Sequence, residues 1–197
     1  MNRFEQFPDA TIAGSGPVSQ QFLRLGETRF HGACRWVHEL PYGYNSDRDD
    51  FMTLFRENKG SCTTKHAVIA TLAAELGLSV AKQIGIYAMT EDLVTGTGPI
   101  LAKYELPYVP MVHCFLAHQD LRVDLTAGNR NGKNRPVEDF LFTCPVAPDI
   151  SEKDEYLLYR GALKDLLSTR EELRGVAIKT VLHAREEGIA RLRSNIA

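Results

Sequence analysis

Three residues of this chain have the types and order needed for acyl transfer through sulfur: Cys62, His113 and Asp124. Cys62 follows Lys59-Gly60-Ser61 and leads into an apolar-periodic stretch, 66–76, closed by Gly77. Val68, Ile69, Leu72, Ala73 and Leu76 recur at helical spacing and predict a helix with one buried face, capped by Ser61 or Thr63. A thiol in the first turn of that helix meets the positive end of the peptide dipoles and free N–H groups. Both favour thiolate over thiol. A nucleophilic sulfur also needs a base for its proton, and the base needs a partner that orients it and stabilises its charged form. His113 lies in the apolar stretch 109–116 and Asp124 in 121–125, two predicted strands joined through His118-Gln119-Asp120. A turn at Gln119-Asp120 sets residues 113 and 124 nearly opposite one another. A bulge or a slip of one or two residues would then bring both side chains onto one face.

The elements that must hold this trio follow from periodicity and punctuation. Residues 18–40 read as helical, with Phe30, Ala33, Cys34 and Val37 on one stripe and Pro41 as the stop. Turn chemistry from Tyr42 to Asp47 precedes one or two helical turns in 50–57, ended by Asn58-Lys59-Gly60. After the Cys62 helix the period changes, and 78–87 suits a strand. Residues 90–110, rich in glycine and proline, read as an irregular connection with a short helical turn in 99–103, of the kind that shapes binding sites. From Ser151 onward the helical period returns, broken near Thr169-Arg170-Glu171-Glu172, which predicts two helices or one with a bend. Helices, then strands, then helices again indicate an α+β fold with the sheet packed on the Cys62 helix.

Composition narrows the partners. At 197 residues with 44% apolar and 24% charged side chains, the chain can bury one sizeable core. Its 23 basic residues against 25 acidic ones leave a formal charge of −2, so nothing draws it to nucleic acid or anionic lipid, and neither is expected as a partner. No apolar run of signal-peptide or membrane-spanning length is present, and a soluble, cytoplasmic protein is expected. Cys34, Cys62, Cys114 and Cys144 are dispersed, which favours reduced thiols over disulfides or a zinc site.

Four segments together resemble the transglutaminase-like group of papain-related cysteine enzymes. That group has an amphipathic helix ending in Trp-Val before a tyrosine, a Gly-x-Cys opening the core helix, a strand with the catalytic histidine, and an aspartate followed by Pro-Thr. Here the counterparts are Arg35-Trp36-Val37-His38-Glu39-Leu40-Pro41-Tyr42, Gly60-Ser61-Cys62, Val112-His113-Cys114-Phe115 and Asp124-Leu125-Thr126. Cys114-Phe115 stands where the group usually has Ala-Trp, and Leu125 replaces the proline. The resemblance covers 18–126. It implies a papain-like core at about 18–126, while length and the returning helical period give a single domain over 1–197 with a C-terminal helical extension at about 151–197. It further implies that Cys62 attacks an amide carbonyl, His113 shuttles the proton and Asp124 orients His113. The substrate class would be amide or peptide-like, the intermediate a thioester, and no cofactor or metal is called for. The Cys62 N–H would be one oxyanion donor. Trp36, Tyr42, Tyr44 and Asn45 remain open as the second.

Competing readings attach to the same residues. An arylamine acetyltransferase uses the same Cys–His–Asp logic, but this chain lacks that family's length and its Arg-Gly-Gly approach to the cysteine. A binding or scaffold protein could keep the fold with an idle triad. His66, with His113 and His118, suggests a metal cluster that lacks a second tight pair of ligands. Strand alternation turns Cys114 away from His113 and into the core. Thr95-Gly96-Thr97-Gly98 has the look of a phosphate loop without the Gly-Lys-Ser/Thr that would follow, and reads as a turn.

Overall fold

The computed structural model describes residues 2–196, and these form seven α-helices and one four-stranded antiparallel sheet, an α+β fold. The helices are α1 (Pro17–Arg24), α2 (Phe30–Glu39), α3 (Thr53–Glu57), α4 (Cys62–Glu75), α5 (Gly98–Tyr104), α6 (Glu152–Thr169) and α7 (Ile178–Ser194). The strands are β1 (Ala81–Met89), β2 (Val109–His118), β3 (Leu121–Val123) and β4 (Phe142–Pro145), in the spatial order β3-β2-β1-β4. None of the described helices is long and apolar enough to cross a membrane.

Cys62 opens α4 as the pattern predicts. Ser61 is the N-cap, and the Thr64 hydroxyl accepts its N–H at 3.1 Å. Gly77 closes the helix at φ +69°, where the Leu78 N–H reaches back to the Ala73 carbonyl at 2.8 Å. Gly60 is required for contact: a Cβ there would lie 2.8 Å from Leu54 and 2.9 Å from buried Lys65. With no side chain, residue 60 exchanges backbone bonds with Pro41 (3.1 Å) and Gly43 (3.2 Å), which holds the Tyr42–Tyr44 turn beside the nucleophile.

The single helix expected over 18–40 is two. Gly26 takes φ +84° after α1, and the next residues pair with the N-terminal segment, Ile12 donating to Thr28 at 2.9 Å. One left-handed glycine plus outside hydrogen-bond partners outweighs a helical apolar period. The β4 strand was invisible to pattern reading. It is four residues long, ends at a proline, and borrows its stability from β1, pairing Ile86 with Phe142 and Gln83 with Pro145. The break near 170 separates α6 from α7 as expected, and the helical turn in 99–103 is α5.

Buried side chains form two clusters rather than one. The first joins α1, α2 and α4 to Leu116 and Val123, the second joins α5, α6 and α7 to Ile86, Met89, Val109 and Met111. Along β2 the clusters take opposite ends, and His113 falls between them. At its far end α4 is tied to α1 by Glu75, whose carboxylate accepts the N–H groups of Val18 (3.0 Å) and Ser19 (2.6 Å). That is a carboxylate capping another helix's N-terminus. Glu75→Ala is expected to lower unfolding free energy by about 1 kcal/mol in urea melts, with the midpoint shifted and the slope unchanged.

Candidate active site

The hairpin joining β2 to β3 pairs Leu116 with Val123 and His118 with Leu121 about a turn in which Gln119 adopts φ +52°. This register is regular, so neither a bulge nor a slip is needed. Pairing stops at Val123 and the chain curls, the Ala127 N–H bonding the Asp124 carbonyl at 3.3 Å. Leaving the ladder lets the Asp124 carboxylate reach diagonally back to His113, whose Nε2 donates to Oδ2 at 2.7 Å. The other carboxylate oxygen accepts the N–H and hydroxyl of Thr126, both at 2.7 Å. His113 is 1% exposed and its Nδ1 has no hydrogen-bond partner, which leaves that nitrogen free for a proton from Cys62.

The charges are mutually supporting. A hydrogen bond from the Cys114 thiol and the nearby His113 hold the Cys62 thiol well below its usual range, although burial opposes them. Burial would depress His113, but Asp124 and Cys62 outweigh it and lift the imidazole to about 9. Asp124 is likewise opposed by burial, yet His113 carries its carboxyl far below the ordinary value. Both shifts favour a thiolate–imidazolium pair over the two neutral forms.

Cys114 corrects an expectation. It is buried, as strand alternation predicts, but its sulfur lies against the first turn of α4, 3.9 Å from the Thr63 hydroxyl, close enough to act on the charge of Cys62. His66 is no metal ligand, because both ring nitrogens are engaged: Nδ1 donates to the Cys62 carbonyl at 2.7 Å and Nε2 accepts the Leu125 N–H at 2.9 Å. It thereby bolts α4 to the residue after Asp124. Sequence reading had only its position, four residues after Cys62. The Thr95–Gly98 amides are also taken, Gly96 and Gly98 donating to Glu91 at 2.9 and 2.5 Å.

Of the candidates for a second oxyanion donor, Trp36 is stacked on Phe55 in the core. Both N–H groups of Asn45 are spent, on Glu57 (3.2 Å) and the Lys59 carbonyl (3.0 Å). Tyr42 and Tyr44 line the cavity at Cys62. Tyr87 on β1, which pattern reading took only as a strand residue, joins them: its hydroxyl is buried beside Cys62 without a hydrogen-bond partner. It is an unspent donor at the site.

That cavity has a volume of about 320 Å³ and is walled by the 42–48 turn, Lys133 and α7 rather than by the 90–110 connection. A second hollow of about 610 Å³, lined by Phe4, Phe115, Phe140 and Arg122, lies against His113 and Asp124 but does not include Cys62. No protein-family model matches this chain, and no curated protein or solved structure matches it either.

His66 supplies a pH test. Burial lowers its pKa to about 4, so between that value and 6.5 the unfolded chain binds a proton that the folded chain refuses. Stability is thus expected to fall by roughly 3 kcal/mol as pH drops from 6.5 to 4. Urea unfolding across that range should show the loss, and His66→Gln should flatten it.

Proposed function

We propose that this protein is a cysteine-dependent hydrolase or acyltransferase of the transglutaminase-like kind, acting on amide or peptide-like substrates. The observation that carries this reading is the His113 ring, with Nε2 held 2.7 Å from Asp124 and Nδ1 buried and unpartnered beside Cys62. A structural histidine would have both nitrogens satisfied, as His66 does. Cys62 at a helix start, His113 on a strand and Asp124 just past the end of the neighbouring strand keep the order the resemblance implies, which supports a papain-like core. Four free cysteines suit a reducing, cytoplasmic setting.

In this reaction the Cys62 thiolate attacks the amide carbonyl carbon and the carbonyl π electrons move to oxygen. The Cys62 N–H and the Tyr87 hydroxyl stabilise that oxyanion, and Tyr42 lines the same cavity. Collapse re-forms the carbonyl and breaks the C–N bond, while His113 Nδ1 gives its proton to the departing amine. Water or a second amine then attacks the thioester, losing a proton to His113, and the thiolate leaves.

Alkylation of Cys62 by iodoacetamide, followed by peptide mass spectrometry with Cys144 as control, tests the central step. Cys62 should already react at its plateau rate near pH 7, well below the ordinary thiol pKa of about 8.5. His113→Ala should abolish that advantage, and with an amide substrate should cost about 10²- to 10⁴-fold in turnover. Amide turnover should also decline above about pH 9, where His113 loses the proton it must donate. Labelling of Cys62 no faster than Cys144 would leave the idle-triad reading standing instead.

A further inference from the structure

The cavity at Cys62 holds more positive than negative side chains. Arg48, Lys133, Arg185 and Arg193 line it against the carboxylates of Glu152 and Glu155. Arg48 is committed, forming an ion pair with Glu155 and lying 3.9 Å from Glu152. Arg185 pairs with Glu186 at 2.9 Å, rests over the Tyr159 ring, and keeps a buried Nε without a partner. The other two have no carboxylate partner among the described residues. Arg193 sits over the Tyr44 ring, 4.6 Å from its centre, and Lys133 over the Tyr87 ring at 5.9 Å. Aromatic faces attract both cations without adding a counter-charge, and Arg193 is exposed.

Lys133 has a further reason to be noticed. Desolvation of an ammonium is costly, and a loop lysine would ordinarily turn to water. Here burial lowers its pKa, opposed by Cys62 and Asp124, and its charge acts on Cys62, His113 and Asp124 in turn. Two cations without a carboxylate partner among the described residues, lining the same cavity of about 320 Å³ as Cys62, make a site for a small anionic group.

We propose that this cavity selects carboxylate-bearing amides, such as an acidic peptide segment, and that Lys133 and Arg193 recognise the carboxylate. The scissile carbonyl in this statement rests on the acyl-transfer reading above. The charge selectivity does not, and it can be measured separately.

The probe pair is iodoacetate and iodoacetamide, which deliver nearly the same reaction at sulfur with and without a carboxylate. The quantity read is the iodoacetate-to-iodoacetamide rate ratio at Cys62, compared with that at Cys144 in the same full-length protein. Taking a ratio removes effects on thiolate content, because both reagents consume the same thiolate. A ratio at Cys62 at least about fivefold above that at Cys144 in low salt, shrinking as sodium chloride is added, is expected. Lys133→Met and Arg193→Met should each reduce it severalfold, and glutarate should protect Cys62 from iodoacetamide where uncharged glutaramide does not. The salt titration uses the unaltered chain and so reads the proposal even if a variant fails to fold. A ratio equal to that at Cys144 and indifferent to salt overturns the proposal, and fast iodoacetamide labelling alongside it would leave the acyl-transfer reading intact. Slow labelling by both reagents with the charge preference retained would do the reverse, upholding the anion site and sinking the nucleophile.

Discussion

Asp124 carries a negative charge into a site where its side chain is only 12% exposed, and the surrounding structure is arranged around satisfying it. One oxygen takes the His113 Nε2–H and the other takes two donors from Thr126. His66 stands 3.5 Å from the same carboxylate and would compete to become its cation, but its Nε2 is already an acceptor for the Leu125 N–H. Protonating His66 would break that bond in a place fully buried from solvent. Charge therefore settles on His113. Two imidazoles with centroids 6.4 Å apart are driven in opposite directions, one to about 4 and the other to about 9. Such separation of neighbouring titratable groups is how a site assigns distinct roles to side chains of the same type.

The same His66 couples that electrostatic choice to the scaffold. Its Nδ1–H donates to the carbonyl of Cys62, so the nucleophile's own backbone and the residue after the orienting aspartate are joined through one ring. Lys65, its neighbour, reaches the other way and donates to the Leu40 carbonyl at 2.6 Å and the His38 carbonyl at 3.3 Å, at the end of α2. A cation there complements the helix's negative end. The first turn of α4 is thus bound to α2, to the 41–43 turn and to the β3 exit. The backbone around Cys62 is thereby tied down on three sides.

How much of this was legible in the sequence depends on whether a feature is set by local pattern or by distant contacts. The start of α4, its Gly77 stop, and the β2–β3 hairpin turn are local, and apolar period with punctuation found them. The Cys62–His113–Asp124 trio was found because two of its members sit on one hairpin. The route from Asp124 to His113 was not legible, since a chain leaving its ladder is decided by what waits outside the sheet, here Thr126 and His66. β4 was missed because its partner, β1, lies more than fifty residues earlier and its own four residues carry no period. Tyr87 and Lys133 were missed for a related reason. A tyrosine in a strand reads as packing and a loop lysine reads as solvent-facing. Only the fold shows that the first keeps an unspent hydroxyl and the second is turned inward.

Those missed residues divide the site in an informative way. Cys62, His113 and Asp124 come from the stretch that resembles a known group, whereas Lys133, Arg185 and Arg193 come from beyond it. On the proposed reading, the reacting atoms and the charges that would choose a substrate are carried by different parts of the chain, and α7 is a wall of the cavity. The two parts are nevertheless linked through Lys133, whose ammonium favours the Cys62 thiolate and disfavours the His113 imidazolium. On the anionic-substrate reading, a carboxylate arriving beside Lys133 offsets that charge just as the reaction begins. The thiolate then loses part of its stabilisation and becomes the better nucleophile, while the imidazolium is held more firmly until the tetrahedral intermediate offers it an amine to protonate. Recognition and reactivity would then be the same electrostatic event, seen from the two sides of one cavity.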